Sequence, residues 1–429
     1  MGDPNIIYCS KRYLMKKYLL VLLPFLLFGK PSAFSQTGKI DSAQFRKLRI
    51  DPATARGVPV KELFTSIAYV PLETTKKSQF GEISQLEVVD NKFIIFDFDT
   101  WSVLIFSNTG KFINRISARN IATLNGLPAA NEGNIFNGFA LNKVAGVNYI
   151  DIVSKGNILR FTLDGTLSKK FPIGGYRKPF VLKDGTKVIP DYTADQKKYF
   201  EFLIVNPKGD STTYWPYAQD RYAEDDFIIG GNRFDKAANE TQLLYYNYYS
   251  YDIFSLNGTG VKLNYRVLLP NSIALPPDFS TNSIYKMKKW DFLQKNKNMV
   301  YGLRNTWLIG DYLFLTLDAL AQQISNKKTL AYNLKSNQVI SLQNITPDEI
   351  SHFLPVNDSS IGTNFLAKGF LTFDGTNLYT AISCVSMAKL KTQIKDSGVD
   401  YPMPLKNYFS TDQSVSNPVV VVLTSHISK

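Results

Sequence analysis

The stretch that decides the fold runs from residue 83 to residue 116 and reads ISQLEVVDNKFIIFDFDTWSVLIFSNTGKFINRI. β-Branched and aromatic residues fill four short runs, and polar turns at 90–91, 99–102 and 108–110 separate them. The turn Asn108-Thr109-Gly110 is typical of a hairpin, because glycine reaches the positive φ that a tight turn requires. The stretch therefore predicts a four-stranded antiparallel meander.

The same plan recurs along the chain. Gly110, Gly165 and Gly209 lie in the turns of three successive copies and are 55 and 44 residues apart, and looser copies follow. Repeats of about 40–50 residues with four strands each are typical of β-propeller blades. The 367 residues of 63–429 suit six blades with long loops or eight compact ones. Closure of such a ring needs strands from both chain ends.

The segments 67–72 and 418–423 are the predicted closing strands, because each is apolar and lies near one end of the predicted ring. A dense tyrosine run at 245–251 is expected to fill the space between blades, where sheets pack face to face. Alternation of strands with helices is not evident, so the pattern disfavours a doubly wound α/β fold.

The N-terminal 35 residues have the pattern of a cleavable signal peptide. Met15-Lys16-Lys17 precedes an apolar stretch at 18–28, which is shorter than the roughly 20 residues that a bilayer span needs. Small residues at 33 and 35 predict cleavage after Ser35, which makes Gln36 the mature N-terminus. We therefore expect a secreted or periplasmic protein that does not span the membrane.

Four further expectations concern the start of the chain. Residues 1–14 are interpreted as an extended n-region or an over-long start, and 36–62 as a lead-in to the propeller at 63–429. Cys9 lies before the apolar stretch, so it cannot be the lipid-bearing cysteine of a lipoprotein. The pattern Asp41-Ser42-Ala43 marks Ser42 as a candidate O-glycosylation site.

The charge balance indicates a basic protein without a nucleic-acid motif. The chain has 49 Lys and Arg against 36 Asp and Glu, a net charge of +13, which becomes +9 after removal of residues 1–35. The lysines are scattered in pairs and form no stripe, so we expect no nucleic-acid partner. Two Cys and two His show no zinc-site spacing, and no metal or other cofactor is expected.

Several stretches resemble the secreted six-bladed β-propeller proteins of Bacteroidetes-type bacteria, which are distantly NHL-like. Residues 67–75, IAYVPLETT, look like the family's opening stretch, and residues 417–421, NPVVV, are similar to its closing strand. Residues 103–113 and 265–267 are similar to a strand-turn-strand and a mid-chain segment of the family. The resemblance implies an all-β fold: a six-bladed propeller of four-stranded antiparallel blades, closed by pairing of the N- and C-terminal strands.

The resemblance implies no general activity, and one loop departs from the family pattern. Residues 117–134 match a family loop of the type GxGPGEY only at Gly126, Pro128 and Glu132. Neither His352 nor His426 lies in a catalytic motif, and no Gly-x-Ser-x-Gly elbow is present. The chain is therefore interpreted as non-catalytic, with no catalytic residue assigned.

The predicted function is a binding or scaffolding module for a glycan, a peptide or an envelope partner protein at the loop-rich face, and we expect a monomer. The predicted binding residues lie in loops at one end of blades one and three: Asp99, Trp101, Arg119, Tyr192 and Asp195. The alternative is a polysaccharide-acting hydrolase or lyase with carboxylates in the axial channel, because glycoside cleavage uses a pair of carboxylates.

Overall fold

The computed structural model describes residues 36–126, 135–174, 179–194, 198–218, 233–237, 241–321, 327–358, 360, 365–394, 398–411 and 416–426. Of the predicted features, residues 1–35 with the cleavage site and Asp195 lie outside these ranges. In the chain's first described part, the elements are β1 (Gln36–Thr37), β2 (Ile40–Asp41), β3 (Arg46–Arg49), a 3-10 turn (Pro52–Thr54), α1 (Val60–Leu63) and β4 (Phe64–Pro71).

Six four-stranded antiparallel sheets follow one another as the blades of a propeller. Blade one contains β5 (Gln85–Val89), β6 (Lys92–Asp97), β7 (Ser102–Ser107) and β8 (Phe112–Ser117). Blade two contains β9 (Ala140–Val144), β10 (Val147–Ser154), β11 (Asn157–Thr162) and β12 (Leu167–Pro172). Blade three contains β13 (Phe180–Val181), β14 (Lys187–Ala194), β15 (Lys198–Val205) and β16 (Ser211–Tyr217). Blade four contains β17 (Phe234–Lys236), β18 (Leu243–Tyr246), β19 (Asp252–Asn257) and β20 (Gly260–Leu268). Blade five contains β21 (Gly302–Ile309), β22 (Tyr312–Asp318), β23 (Thr329–Asn333) and β24 (Val339–Ser341). Blade six contains β25 (Thr372–Phe373), β26 (Asn377–Ile382) and β27 (Val419–Ser425), together with β4. The predicted six-bladed fold is confirmed.

The predicted meander of blade one is present, and its turn shows why glycine is needed. Gly110 has φ +83°, and a Cβ at this position would lie 2.1 Å from the carbonyl oxygen of Pro71. The conformation and the close approach therefore both require a residue without a side chain. This contact also joins the turn of blade one to the end of the closing strand β4.

Neighbouring blades pack through apolar faces, which form most of the core. Between blades three and four, the rings of Phe202 and Tyr245 lie 5.0 Å apart, and Trp215 lies 5.1 Å from Tyr245. Tyr245 and Tyr246 are buried. The expectation that this part of the tyrosine run fills the space between blades is confirmed.

Closure of the ring joins the two ends of the chain, as predicted. β27 pairs with β26 and with β4, and Val421 lies opposite Tyr69 in the antiparallel register. Blade six therefore consists of three strands from the C-terminal part of the chain and an outer strand from the N-terminal part.

Asn417 connects this closure to the loop that follows β4. Its side chain is fully buried, donates to the carbonyl oxygens of Glu73 (2.9 Å) and Ser78 (3.0 Å), and accepts from the amide of Phe80 (3.2 Å). Its backbone amide donates to the hydroxyl of Thr74 at 2.8 Å. The NPV and PLETT stretches of the sequence are therefore in direct contact.

The segment before β4 pairs with outer blade edges, a role that the sequence did not predict. β1 runs parallel to β16 of blade three, and β2 and β3 run parallel to β20 of blade four. Isolated bridges then join Arg56 to Ile340 and Pro59 to Thr346 beside blade five. This segment thus satisfies backbone groups that edge strands otherwise leave open.

The two faces of the ring differ because loops of an antiparallel meander alternate between its ends. One face, the tight-turn face, carries connections as short as 90–91, 145–146, 258–259 and 310–311. The other, the loop-rich face, carries the longer connections with α2 (Ala118–Leu124), α3 (Lys289–Lys295), α4 (Phe365–Lys368), α5 (Cys384–Ile394) and α6 (Met403–Ser410).

The helices between β26 and β27 are an insertion that the sequence did not predict, and Cys384 at the start of α5 is partly exposed. Within the described ranges, no helix is long and apolar enough to cross a membrane.

We expect Asn417→Ala to lower the free energy of unfolding by about 3 kcal/mol, because it leaves the amide of Phe80 and the carbonyl of Ser78 without their partner and removes one of the two donors to the carbonyl of Glu73. Chemical denaturation measures the change. Asn148→Ala is the matched control, since its side chain makes an exposed hydrogen bond to Asp90, and it should change the value by less than about 0.5 kcal/mol. Equal values for the two variants would contradict the proposed role of Asn417.

Candidate functional site

The loop between β6 and β7, residues 98–101, is held in one conformation by a buried carboxylate. Asp97 is inaccessible to solvent and accepts hydrogen bonds from the amides of Asp99 (3.3 Å) and Thr100 (3.1 Å). It also accepts from the amide of Glu82 at 3.1 Å, which ties in the loop after β4. This carboxylate therefore organises the loop and is not available as one of a catalytic pair.

Two aromatic rings lie side by side on this loop. The ring centroids of Phe98 and Trp101 are 4.6 Å apart, and Phe98 is 50% exposed while Trp101 is half-buried. Phe96 and Phe136 support them from below, with centroid distances of 6.4 and 6.5 Å to Trp101. The two rings thus form a supported apolar surface at the loop-rich face.

Two exposed charged residues lie close to the ring pair along the backbone. Asp99 is exposed, and a Cβ at position 81 would lie 2.4 Å from its carboxylate oxygen, so Gly81 leaves room for it. Arg119 is exposed at the second position of α2, where the amide of Ala118 donates to the carbonyl of Trp101 at 2.8 Å. We call Phe98, Asp99, Trp101 and Arg119 the blade-one platform.

The structure brings three of the five predicted binding residues to this one end of blade one: Asp99, Trp101 and Arg119. Phe98 was missed, because the sequence assigned it to the end of a strand and an alternating pattern does not tell which strand ends protrude. Trp101 has φ +45°, an unusual conformation for a bulky residue, and it is part of what places the ring beside Phe98.

Blade three departs from the prediction. Tyr192 lies within strand β14, opposite Phe200 of β15, and not in a loop. It is partly buried, and the structure does not bring it next to the blade-one platform, since blade two lies between. A binding role for Tyr192 and for Asp195 stays a prediction of the sequence.

A second set of polar residues, which the sequence analysis missed, lies on the innermost strands of blades four and five. Asp235 of β17 is 7% exposed and accepts from the amide of Thr306 of β21 at 2.7 Å. Burial raises the pKa of Asp235 to about 7. On β21, Arg304 donates to Asp318 at 2.5 Å and to the carbonyl of Lys368 at 3.0 Å.

These polar residues continue around the ring as pairs. Burial raises the pKa of Asp318, with Arg304 acting against it, and burial lowers the pKa of Lys368 to about 8. The ammonium group of Lys368 pairs with Glu82, and Arg233 pairs with Glu201 between blades three and four. The polar run Arg304-Asn305-Thr306, inside a strand whose other residues are apolar, was the signal in the sequence that could have revealed this set.

No group of three or more Asp, Glu, His or Cys side chains is arranged to hold a metal ion in the part of the chain that the structure describes. The axial carboxylates have partners instead: Asp235 has Thr306, Asp318 has Arg304 and Glu201 has Arg233. The contacts of Asp235 with Thr306 and of Glu201 with Arg233 link adjacent blades, whereas Asp318 and Arg304 pair within blade five.

The raised pKa of Asp235 predicts a pH dependence of stability. The folded chain retains a proton on Asp235 that the unfolded chain releases above about pH 4, so the stabilising contribution is complete below that pH and is lost as the pH rises through about 7. Relative to wild type, Asp235→Asn should therefore become more stable between pH 4 and 7. Denaturant titrations across this range measure the difference. The exposed Asp291→Asn is the control, and a parallel trend in both variants would contradict the prediction.

Three solved structures are similar to this chain to different degrees, and the first supports the fold. A Bacteroides fragilis protein named as an exported protein matches with a TM-score of 0.56 and 12% identity, covering 89% of this chain and 100% of that one. A member of the DUF4221 family from Bacteroides vulgatus matches with a TM-score of 0.38 and 10% identity, covering 85% and 98%. The calcium-binding protein regucalcin from Agrobacterium tumefaciens matches with a TM-score of 0.36 and 10% identity, covering 87% and 97%.

At such identities the first of these structures shows a shared fold and nothing about activity. None of the curated proteins matches the chain. One family model, described as a domain of unknown function, matches residues 47–424, which include all six blades and most of the segment that precedes β4. The chain therefore belongs to the DUF4934 family.

Proposed function

We propose that this chain is an exported propeller that binds a glycan, a peptide or an envelope partner protein at the blade-one platform. The observation that carries the proposal is the Phe98–Trp101 ring pair, which packs on Phe96 and Phe136. Asp99 is exposed between the two rings in sequence, and Arg119 is exposed on the helix whose first amide is bonded to Trp101. Half-exposed rings offer an apolar surface for stacking, and the charged neighbours offer directional contacts. Loops held by a rigid scaffold commonly carry such sites.

Pre-organisation supports the proposal on energetic grounds. Asp97 fixes the backbone of residues 99–100 through hydrogen bonds, the amide of Phe98 donates to Ser84, and the carbonyl of Trp101 is bonded to the start of α2. A ligand that stacks on the rings therefore has little loop motion to restrict, and binding loses less conformational entropy.

The alternative, a polysaccharide-acting hydrolase or lyase, has less support. Asp235 is the axial carboxylate whose pKa is raised most clearly toward neutrality, a property of general acids. It is nevertheless buried, and its oxygen is bonded to both the amide and the hydroxyl of Thr306. A substrate would have to displace these contacts, so binding remains the better-supported function.

Export is proposed from the sequence alone. Residues 1–35 act as a cleavable signal peptide, the product is secreted or periplasmic, and Cys9 does not carry a lipid. We also propose that the mature protein is a monomer, that 36–62 is a lead-in to the propeller, and that the family is distantly NHL-like. Ser42, which is exposed between β2 and β3, is the proposed O-glycosylation site.

A binding screen tests the platform. We expect the purified chain to bind members of a glycan array or a peptide library, and Phe98→Ala and Arg119→Ala each to weaken the best ligand about tenfold, because each removes an exposed contact without disturbing the core. Calorimetry measures the affinity. Trp101→Ala should weaken binding at least as much, although part of its effect comes from lost packing.

The control is Phe353→Ala, which removes another exposed aromatic ring between blades five and six and should leave the affinity unchanged. Unchanged affinity in both Phe98→Ala and Arg119→Ala would place the site elsewhere, and so would a ligand that binds equally well to all four variants.

Mass spectrometry of the exported protein tests the start of the chain. We expect the N-terminal peptide to begin at Gln36 and to carry an added glycan mass at Ser42, because the cleavage pattern and the exposed Asp-Ser-Ala stretch both permit it. A Ser42→Ala variant is the control and should lose the added mass only. A peptide that begins elsewhere would contradict the cleavage site, and an unmodified peptide would remove the glycosylation proposal.

A further inference from the structure

The connection between β20 and β21, residues 269–301, exposes three large apolar side chains at the loop-rich face. Ile284 is 60% exposed, Met287 is 59% exposed and Trp290 is 41% exposed. Single exposed apolar side chains are common on protein surfaces, but three within seven residues concentrate exposed apolar area in one short segment.

This connection is ordered, because it has a small aromatic core of its own. Phe279 is buried, and the rings of Tyr249, Tyr285 and Phe292 lie 5.2, 4.8 and 5.1 Å from it. The buried Leu293 belongs to the same cluster. Other apolar residues of this segment are therefore buried in a packed core, and the three exposed side chains lie outside that core.

The backbone that bears the exposed side chains is also held in place. The side chain of Asn282 accepts from the amide of Ile284 at 3.0 Å, and its own amide group donates to Asp278 at 2.7 Å. Met287 has φ +59°, a conformation that L-residues seldom adopt, between the 3-10 turn at 283–285 and α3. The local backbone conformation therefore keeps these side chains at the surface.

Lysines alternate with the apolar side chains. The stretch 283–297 contains five Lys and one Asp. Lys286 and Lys288 are exposed on either side of Met287, whereas Lys289 is buried with its ammonium group 5.6 Å from the ring of Tyr249. The surface is thus both apolar and positively charged.

We propose that this surface, the lysine-flanked protrusion (Ile284, Lys286, Met287, Lys288 and Trp290), docks on an anionic lipid bilayer. Apolar side chains enter the boundary between headgroups and acyl chains, tryptophan favours that boundary, and exposed lysines are attracted to anionic headgroups. A protein partner fits less well, because lysine is depleted at protein–protein interfaces.

This inference goes beyond the proposed function and does not depend on it. The protrusion follows blade four, and two blades separate blade four from blade one in either direction around the ring. A negative result for lipid binding would leave the blade-one platform untouched, and failure of the glycan and peptide screen would not affect the lipid experiment.

Sedimentation with lipid vesicles tests the proposal directly. We expect the purified chain to sediment with vesicles that contain phosphatidylglycerol and not with vesicles of phosphatidylcholine alone, and binding to weaken as salt is added because exposed charges are screened. Tryptophan emission should shift to the blue on binding, and Trp290→Phe should abolish most of that shift, since Trp290 is the tryptophan of the protrusion.

Variants separate the two components of the surface. Lys286→Gln with Lys288→Gln should weaken binding about 30-fold, from the attraction that each lysine near an anionic membrane contributes. Ile284→Ser with Met287→Ser should weaken it by roughly tenfold or more, because less apolar surface enters the lipid.

The matched control is Val144→Ser with Val147→Ser, which removes two exposed apolar side chains at the tight-turn face and should not change binding. All variants are isolated as the exported protein, from which residues 1–35 are proposed to be removed, so that apolar stretch does not contribute to the comparison. Any one of three results would overturn the proposal. These are equal binding to both vesicle types, equal affinity of the protrusion variants and the control, and the same emission change in Trp290→Phe as in the wild type.

Discussion

Pairing of β4 with β27 is the contact on which the rest of the structure depends. It joins residues 64–71 to residues 419–425 across almost the whole described chain, and it makes blade six from both ends. Without it, the ring would end in two open sheet edges, and strands with unpaired backbone groups are prone to associate with other chains. Asn417 reinforces the contact from a fully buried position, where its three side-chain hydrogen bonds have no water to replace them.

A closed ring makes the position of each loop dependable, and the loops then differ between the two faces. The connections at one face are all short, whereas the other carries α2 to α6 and the two surfaces that we associate with binding. The blade-one platform is held by Asp97, and the lysine-flanked protrusion by the cluster around Phe279. Both surfaces expose apolar side chains on an ordered backbone, which is the arrangement expected of recognition sites on a rigid scaffold.

The charges of the protein are used in two different ways. Near the axis, Arg233, Arg304 and Lys368 each pair with a carboxylate or a carbonyl group, and burial shifts the pKa of Asp235 and Lys368 toward neutrality. On the protrusion, lysines remain exposed beside apolar groups. The inner charges therefore hold neighbouring parts of the ring together, and the outer lysines lie at the surface beside apolar side chains.

The sequence by itself determined the repeated meander, the turn at Gly110 and the two closing strands, because hairpin turns and two-residue alternation are local properties. It also located Asp99, Trp101 and Arg119 at one end of blade one, since strand order alone decides at which end a loop lies. Only the tertiary structure decided that Phe98 is exposed beside Trp101, that residues 36–59 follow three blade edges, and that Asp235 reaches Thr306 of the next blade. Those features depend on which groups from distant parts of the chain come together, and a local pattern carries no information about such distances.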